Sequence, residues 1–137
     1  MSINPELYRP QIEALLREIR LGKCELVITD SVQDWAGGVG VQEDNPFRAG
    51  MAVVRSDGVQ LIVVLKQITA DIQTGVINAI EMRGFWEEVK RLEEPSAFLE
   101  HLVLHEAAHL LLDSPSESDC DTWAFARLRG GFPSARD

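Results

Sequence analysis

The first regular pattern along the chain has the period of an amphipathic helix. Four apolar residues recur at i, i+3, i+4 and i+7: Ile12, Leu15, Leu16 and Ile19. Pro10 suits the first turn of a helix because its missing N–H has no partner there. Gly22 is a suitable residue to end the segment. We therefore predict one helix that begins at Pro10 and buries a single apolar face.

The next stretch has the composition of β-strands. Cys24–Thr29 ends in β-branched residues and precedes a turn pair, and the glycine-rich residues 37–41 suggest a softened strand. Residues 51–55 and 59–65 flank a Ser-Asp-Gly turn, which predicts a β-hairpin. Because residues 59–65 are apolar at nearly every position, we expect this strand to be covered on both faces.

The spacing of apolar residues becomes helical again in the second half of the chain. Residues 71–92 form one such segment, which Gly84 divides into two helices. A further helix covers residues 95–112 and is ended by a proline. Ser116 is suited to cap a last helix, which should end before a pair of glycines. We expect the tail, about residues 130–137, to be loose.

The order of these elements indicates the fold class. A helix, several strands and then several helices predict an α+β fold, with helices packed on a small, mostly antiparallel sheet. The chain has 137 residues, which is within the size of one ordinary domain of about 100–200 residues. We therefore assign residues 1–137 to a single domain.

Composition excludes several classes of function. With 22 acidic and 13 basic residues the formal net charge is −9, which disfavours binding to nucleic acid or to anionic membranes. The apolar runs are far shorter than the ~20 residues that span a bilayer. Two cysteines are too few for a disulfide scaffold, and the first 20 residues lack the layout of a signal peptide. We expect a cytoplasmic protein; its oligomeric state is open.

The most informative motif lies in the helix predicted for residues 95–112. His105, Glu106 and His109 match the pattern H-E-x-x-H. Histidines four apart leave the same face of a helix, so both imidazoles can bind one zinc ion. Glu106 lies beside them and can hold the water that completes the zinc coordination. The motif therefore indicates a zinc site.

The surroundings of the motif strengthen this interpretation. Between Ala97 and Leu112 there are 11 apolar and five polar residues, so the helix should be buried nearly all round. Buried polar side chains cost free energy unless they have partners, and a metal ion with its water would supply them. The alternative is two core histidines bonded to backbone, with Glu106 at the surface. We expect His101, one turn earlier, to be a partly exposed helix residue.

A catalytic zinc site normally has a third protein ligand. Glu117 is the leading candidate, because it begins the last helix directly after the turn that follows His109. Alternatively, Glu117 is an ordinary acidic residue at the start of a helix, where the helix dipole favours it. Asp121, one turn further, is a second candidate. It could instead accept a hydrogen bond from the far nitrogen of a ligand histidine and thereby fix its tautomer. Asp113 is more simply placed at a frayed helix end.

These residues resemble the gluzincins, and most closely the ImmA/IrrE-like metallopeptidases. In that family H-E-x-x-H is followed by leucines, as in residues 105–112, and the next helix reads E-x-x-A-(N/D)-x-(F/W)-A. Residues 117–124 match that pattern except that Cys120 replaces the first alanine. The step from His109 to Glu117 is short for such proteins, and the insert at residues 69–94 is long.

The resemblance implies a zincin-like fold and a defined set of roles. His105, His109 and Glu117 would bind Zn²⁺, and Glu106 would act as general base on the zinc-bound water. The expected function is then a small zinc-dependent metallopeptidase (a hydrolase) with a protein or peptide substrate. In the better-known relatives that substrate is a cytoplasmic regulatory protein.

Two other functions remain open at this stage. The same site could bind zinc without catalysis, for folding or for a partner. The chain could also be an interaction module without metal, its acidic surface meeting a basic partner. For the peptidase, an exposed strand edge could align the substrate by backbone pairing, and residues 59–65 or a neighbouring strand are the candidates.

Overall fold

The computed structural model of the protein describes residues 2–133. The strands are β1 (Ser2–Ile3), β2 (Cys24–Thr29), β3 (Gly50–Val54), β4 (Gln60–Leu65) and β5 (Ile68–Thr69). The helices are α1 (Arg9–Glu18), α2 (Val32–Gly38), α3 (Ala70–Met82), α4 (Pro95–Leu111) and α5 (Glu117–Arg127). Short 3₁₀ helices cover Pro5–Tyr8 and Glu88–Glu93. The α+β class predicted from the sequence is confirmed.

The main sheet has the order β2-β4-β3. Strands β3 and β4 pair antiparallel and form the predicted hairpin, whereas β2 and β4 run parallel. The sheet is therefore mixed, and the expectation of a mostly antiparallel sheet is wrong for it. The reason is that β4, on its return from the hairpin, lies between β3 and the earlier strand β2. A separate antiparallel pair joins β1 to β5.

Strand β4 is covered on both faces, as its apolar sequence predicted. Residues 61–65 are all buried. Because β4 is paired on both sides, it cannot offer an edge to a peptide, so the suggestion of that role for residues 59–65 is wrong. The outer strands of this sheet are β2 and β3. Of these, β3 packs directly against α4.

The glycine-rich residues 37–41 do not form a strand. Gly37 and Gly38 are the last two residues of α2, and residues 39–41 follow that helix. The side chain of Ser31 accepts a hydrogen bond from the backbone N–H of Asp34 and caps this helix. Val32 and Ala36, four residues apart, are both buried. The cap and the helical spacing of buried residues outweigh the low helix propensity of the glycines.

The helices in the second half begin and end close to the predicted places. Gly84, at φ +101°, follows the end of α3 and separates it from the next segment, which is a 3₁₀ helix. Helix α4 is buried at every position from Ser96 to Ala108, as its composition predicted. It lies at the centre of the domain, in contact with β3, β4, the second 3₁₀ helix and α5.

The segment after α5 is anchored as far as the described residues extend. Phe132 is 8% exposed, with its ring centroid 6.1 Å from that of Tyr8. The buried carboxylate of Glu100 accepts hydrogen bonds from the backbone N–H groups of Arg129 and Gly131. These contacts hold residues 129–132 against the rest of the domain. Residues 134–137 lie outside the described part, so the expectation of a loose tail stays a prediction.

The described helices are also too short or too polar to cross a membrane. No helix within residues 2–133 combines the necessary length and apolar character.

Candidate metal centre

The two histidines of the motif point to one carboxylate. His105 and His109 lie one turn apart on α4, and their Nε2 atoms are 3.4 Å and 2.6 Å from Glu117 Oε1. One ligand atom from each of the three residues lies within 4.8 Å of the others. The structure therefore brings together the three residues that the sequence predicted as metal ligands.

The short connection between α4 and α5 places Glu117 at the histidines. Asp113, with φ +47°, forms a left-handed turn directly after α4 and is exposed. Ser116 then caps α5 by accepting the backbone N–H of Asp119, so Glu117 is the first residue of the helix. Because the chain reverses within this turn, eight residues from His109 suffice to return a carboxylate to the same point.

The far nitrogens of both histidines have acceptors. His105 Nδ1 is 2.7 Å from Asp121 Oδ1, and His109 Nδ1 is 2.9 Å from the carbonyl oxygen of Ser114. An ionised carboxylate and a carbonyl can only accept, so Nδ1 carries the proton in each ring. Each imidazole then presents Nε2 to the shared point, and this arrangement is typical of histidines that bind metals.

Asp121 lies behind His105. It is fully buried, and its second oxygen, Oδ2, accepts a hydrogen bond of 2.7 Å from Arg83 Nε. Burial alone would raise the pKa of Asp121, but the hydrogen bonds from His105 and Arg83 outweigh burial and hold the pKa below its usual value. Asp121 therefore stays ionised, in the geometry of a residue that orients His105.

Glu106 is buried beside the cluster. Its side chain is 3% exposed, and Oε1 has no hydrogen-bond partner among residues 2–133. Burial raises the pKa of this carboxyl, although nearby cationic groups, among them Arg48, act in the opposite direction. The alternative that placed Glu106 at the surface does not match this geometry.

The electrostatics of the cluster favour positive charge. Burial lowers the pKa of His105, but Asp121, Glu117 and Glu106 outweigh it and raise the pKa to about 9. The hydrogen bond from His105 outweighs partial burial and lowers the pKa of Glu117 to about 2. Carboxylates on several sides thus stabilise a cation at this point.

This donor set fits a zinc ion. Two imidazole nitrogens and one carboxylate oxygen are among the ligand sets that catalytic zinc uses, with a fourth position for water. Glu106, whose Oε1 has no partner among residues 2–133, lines the same cavity as His105 and Glu117, so such a water would lie close to it. The residues present therefore fit a zinc ion, and a water bound to that ion would give the orphaned oxygen a partner.

His101 is more buried than its sequence position indicated. Its side chain is 3% exposed rather than partly exposed, because the ring centroid lies 4.4 Å from that of Phe125. Burial lowers its pKa to about 3, so the ring is neutral. Its Nε2 lies 3.6 Å from Asp121 Oδ1 and makes no hydrogen bond to another described residue.

A cleft of about 640 Å³ adjoins the cluster. Its volume is typical of a ligand-binding site. Its lining includes Glu106 and His105 of α4 and several residues of α3, a helix that was not predicted as part of a site. The apolar residues that line the cleft are Phe47, Ala49, Ile72, Val76, Ala79, Ile80 and Leu102.

Two arginines, Arg48 and Arg83, also line this cleft and were not predicted as site residues. Arg48 lies just before β3, where its Nε donates a hydrogen bond to the carbonyl of Gly50. Arg83 follows α3 and is 38 residues from its partner Asp121. No spacing rule links Arg83 to a residue so distant in sequence, and only the fold brings Arg48 to the cleft, so no local signal could identify either residue.

Comparisons with known proteins add no further assignment. The chain matches no protein-family model, no curated protein and no solved structure.

Proposed function

We propose that the protein is a small zinc-dependent metallopeptidase, in which His105, His109 and Glu117 bind the metal. One observation carries the proposal. Three ligand atoms converge within 4.8 Å, and Glu106, a buried glutamate whose Oε1 has no partner among residues 2–133, lines the same cleft. A site that served only to hold a structural ion would have no need of the glutamate or of the cleft.

The chemistry divides between the metal and the side chains. Zinc, when bound, would lower the pKa of a water molecule and polarise the carbonyl of the scissile bond. Glu106 would act as the general base that accepts a proton from the attacking water and would then pass it to the leaving amine. Its burial supports this role, because a raised pKa brings a carboxyl closer to the pH at which it must both take up and release a proton.

The cleft suits an extended peptide. Strand β3 is an outer strand of the sheet and lies against α4, where a Cβ on Gly50 would be 3.2 Å from Glu106 Cγ. The glycine therefore allows a strand edge to approach the general base closely, and a peptide paired with that edge would present its backbone to the site. This replaces β4 by its neighbour β3 as the proposed docking strand.

The substrate class follows from the resemblance of residues 98–128 to the ImmA/IrrE-like peptidases. On that basis we assign the chain a zincin-like fold and propose a regulatory protein of the cytoplasm as its substrate. The acidic net charge supports a protein or peptide substrate over nucleic acid.

The test uses zinc-loaded protein and a fluorogenic peptide library, with metal content measured on the same samples. Glu106→Gln should retain one zinc per chain but lose at least about 100-fold in hydrolysis, because a general base contributes about 10²–10⁴-fold. Glu87→Gln, an exposed carboxylate outside the cleft, is the matched control and should retain activity.

Two results would contradict the proposal. Undiminished hydrolysis by Glu106→Gln would remove Glu106 from the mechanism. Stoichiometric zinc without hydrolysis of any peptide by the wild-type protein would favour the alternative, a non-catalytic zinc-binding module.

A further inference from the structure

The hydrogen bonds around Asp121 extend from the metal cluster to α3. Asp121 Oδ1 meets His105 Nδ1 at 2.7 Å, and Oδ2 meets Arg83 Nε at the same distance. Arg83 immediately follows α3, and its side chain is 24% exposed, whereas that of Asp121 is fully buried. One arginine thus connects the wall of the cleft to a residue that contacts a proposed metal ligand.

Without Arg83, the buried carboxylate would have a competing partner. His101 Nε2 lies 3.6 Å from Asp121 Oδ1, slightly beyond hydrogen-bond distance, and has no hydrogen-bond partner among residues 2–133. A small rotation of Asp121 toward His101 would satisfy that nitrogen and would lengthen the bond to His105. The contact of Arg83 with Oδ2 opposes this rotation, because it holds the plane of the carboxylate.

We propose that Arg83 is a positioning residue for the metal site, which acts through Asp121 to hold His105 Nε2 toward His109 and Glu117. The inference rests on the metal site of the proposed function and extends it to a residue outside the H-E-x-x-H and α5 motifs. It assigns the long segment between β5 and α4 a role in metal binding.

The experiment measures the dissociation constant for zinc by competition with a fluorescent chelator. Arg83→Gln removes the charge and leaves only a neutral amide donor in place of the guanidinium, and it should weaken zinc binding about 10–100-fold, as is usual for residues that support a metal ligand from behind. Arg83→Lys keeps the charge and should recover part of the affinity. Arg91→Gln is the matched control, because Arg91 donates a hydrogen bond of 3.0 Å to the carbonyl of Leu128, away from the cluster.

A second readout separates positioning from general stability. Thermal unfolding of the metal-free proteins should show a loss of stability for both glutamine variants, whereas the loss of zinc affinity should be confined to Arg83→Gln. In nitrogen-15 NMR spectra the Nδ1 resonance of His105 should shift in Arg83→Gln and stay in place in Arg91→Gln.

Each alternative outcome is decisive. Wild-type zinc affinity in folded Arg83→Gln, or equal losses in the two glutamine variants, would overturn the role of Arg83. If Arg83→Gln does not fold, Arg83→Lys and Arg91→Gln provide the test. The role of Arg83 would then be overturned if Arg83→Lys kept the zinc affinity and the His105 resonance of the wild type while Arg91→Gln lost zinc affinity. A wild-type protein that binds no zinc would refute the proposed metal site itself, and Arg83 with it.

Discussion

Gly131 provides a demanding test of how the end of the chain packs on α4. Its φ is +112°, a conformation that L residues rarely adopt, and its N–H donates to the buried carboxylate of Glu100. A Cβ at this position would lie 2.9 Å from the backbone nitrogen of Ala97 and would also strike the hydroxyl of Ser96. Gly131→Ala therefore combines backbone strain with a collision at the first turn of α4.

The magnitude follows from these two effects. Backbone strain at a position of this kind costs about 1–3 kcal/mol. Forcing an extra carbon into a packed site costs typically about 1–3 kcal/mol more. The free energy of unfolding should thus fall by about 2–6 kcal/mol, a large fraction of the about 5–15 kcal/mol of an ordinary domain.

Two other glycines separate the effects. Gly130 has φ +96°, but its Cβ would meet nothing within 4 Å, so Gly130→Ala should cost only the strain of about 1–3 kcal/mol. Gly75, inside α3, has open space and ordinary backbone geometry, so Gly75→Ala should stabilise by about 0.5–1 kcal/mol. Urea denaturation of the three variants measures each value. Equal stabilities of Gly131→Ala and Gly130→Ala would refute the collision with α4.

Three further predictions concern the core, the cap of α4 and metal binding. Ile62→Ala, at a fully buried position of β4, should lower the free energy of unfolding by about 2–5 kcal/mol in urea denaturation. The pKa of Glu94 is lowered, since hydrogen bonds from Ser96 and the N–H of Ala97 outweigh partial burial. Glu94 therefore contributes fully to the free energy of unfolding above its ordinary pKa of 4.5, and this contribution is lost as the pH falls through the lower pKa of the folded state. In an acid titration the stability of the wild type should thus decline more than that of Glu94→Ala. Zinc at about 100 times its dissociation constant should stabilise the fold by about 2.7 kcal/mol and raise the melting temperature. A chelator should reverse this shift. If the chelator had no effect on the melting temperature, the metal-free interaction module would be favoured.

Local sequence patterns were sufficient for the parts of the structure that local physics determines. The apolar composition of α4 predicted its burial, and the spacing of His105 and His109 predicted their common face. The cap at Ser116 predicted the start of α5, which in turn places Glu117 beside the histidines. In each case the determining residues are neighbours in sequence.

Features that depend on tertiary contacts were not predictable in this way. The parallel pairing of β2 with β4 depends on which strand the hairpin returns to, and neither strand carries that information alone. In α2, two buried positions and a cap outweigh a glycine-rich pattern that resembles a softened strand. Arg83 becomes part of the site only because the fold brings the end of α3 to Asp121.

The central claim is that His105, His109 and Glu117 form one metal site, and zinc stoichiometry tests it most directly. Elemental mass spectrometry of the purified, zinc-supplied protein should give one zinc per chain. Glu117→Ala should lose or weaken this binding, whereas Asp119→Ala, an acid in the same first turn of α5 that lies outside the cluster, should retain it. Asp121→Ala should weaken zinc binding through His105 without abolishing it. A wild-type protein that takes up no zinc, or a Glu117→Ala variant that binds it as tightly as the wild type, would contradict the account.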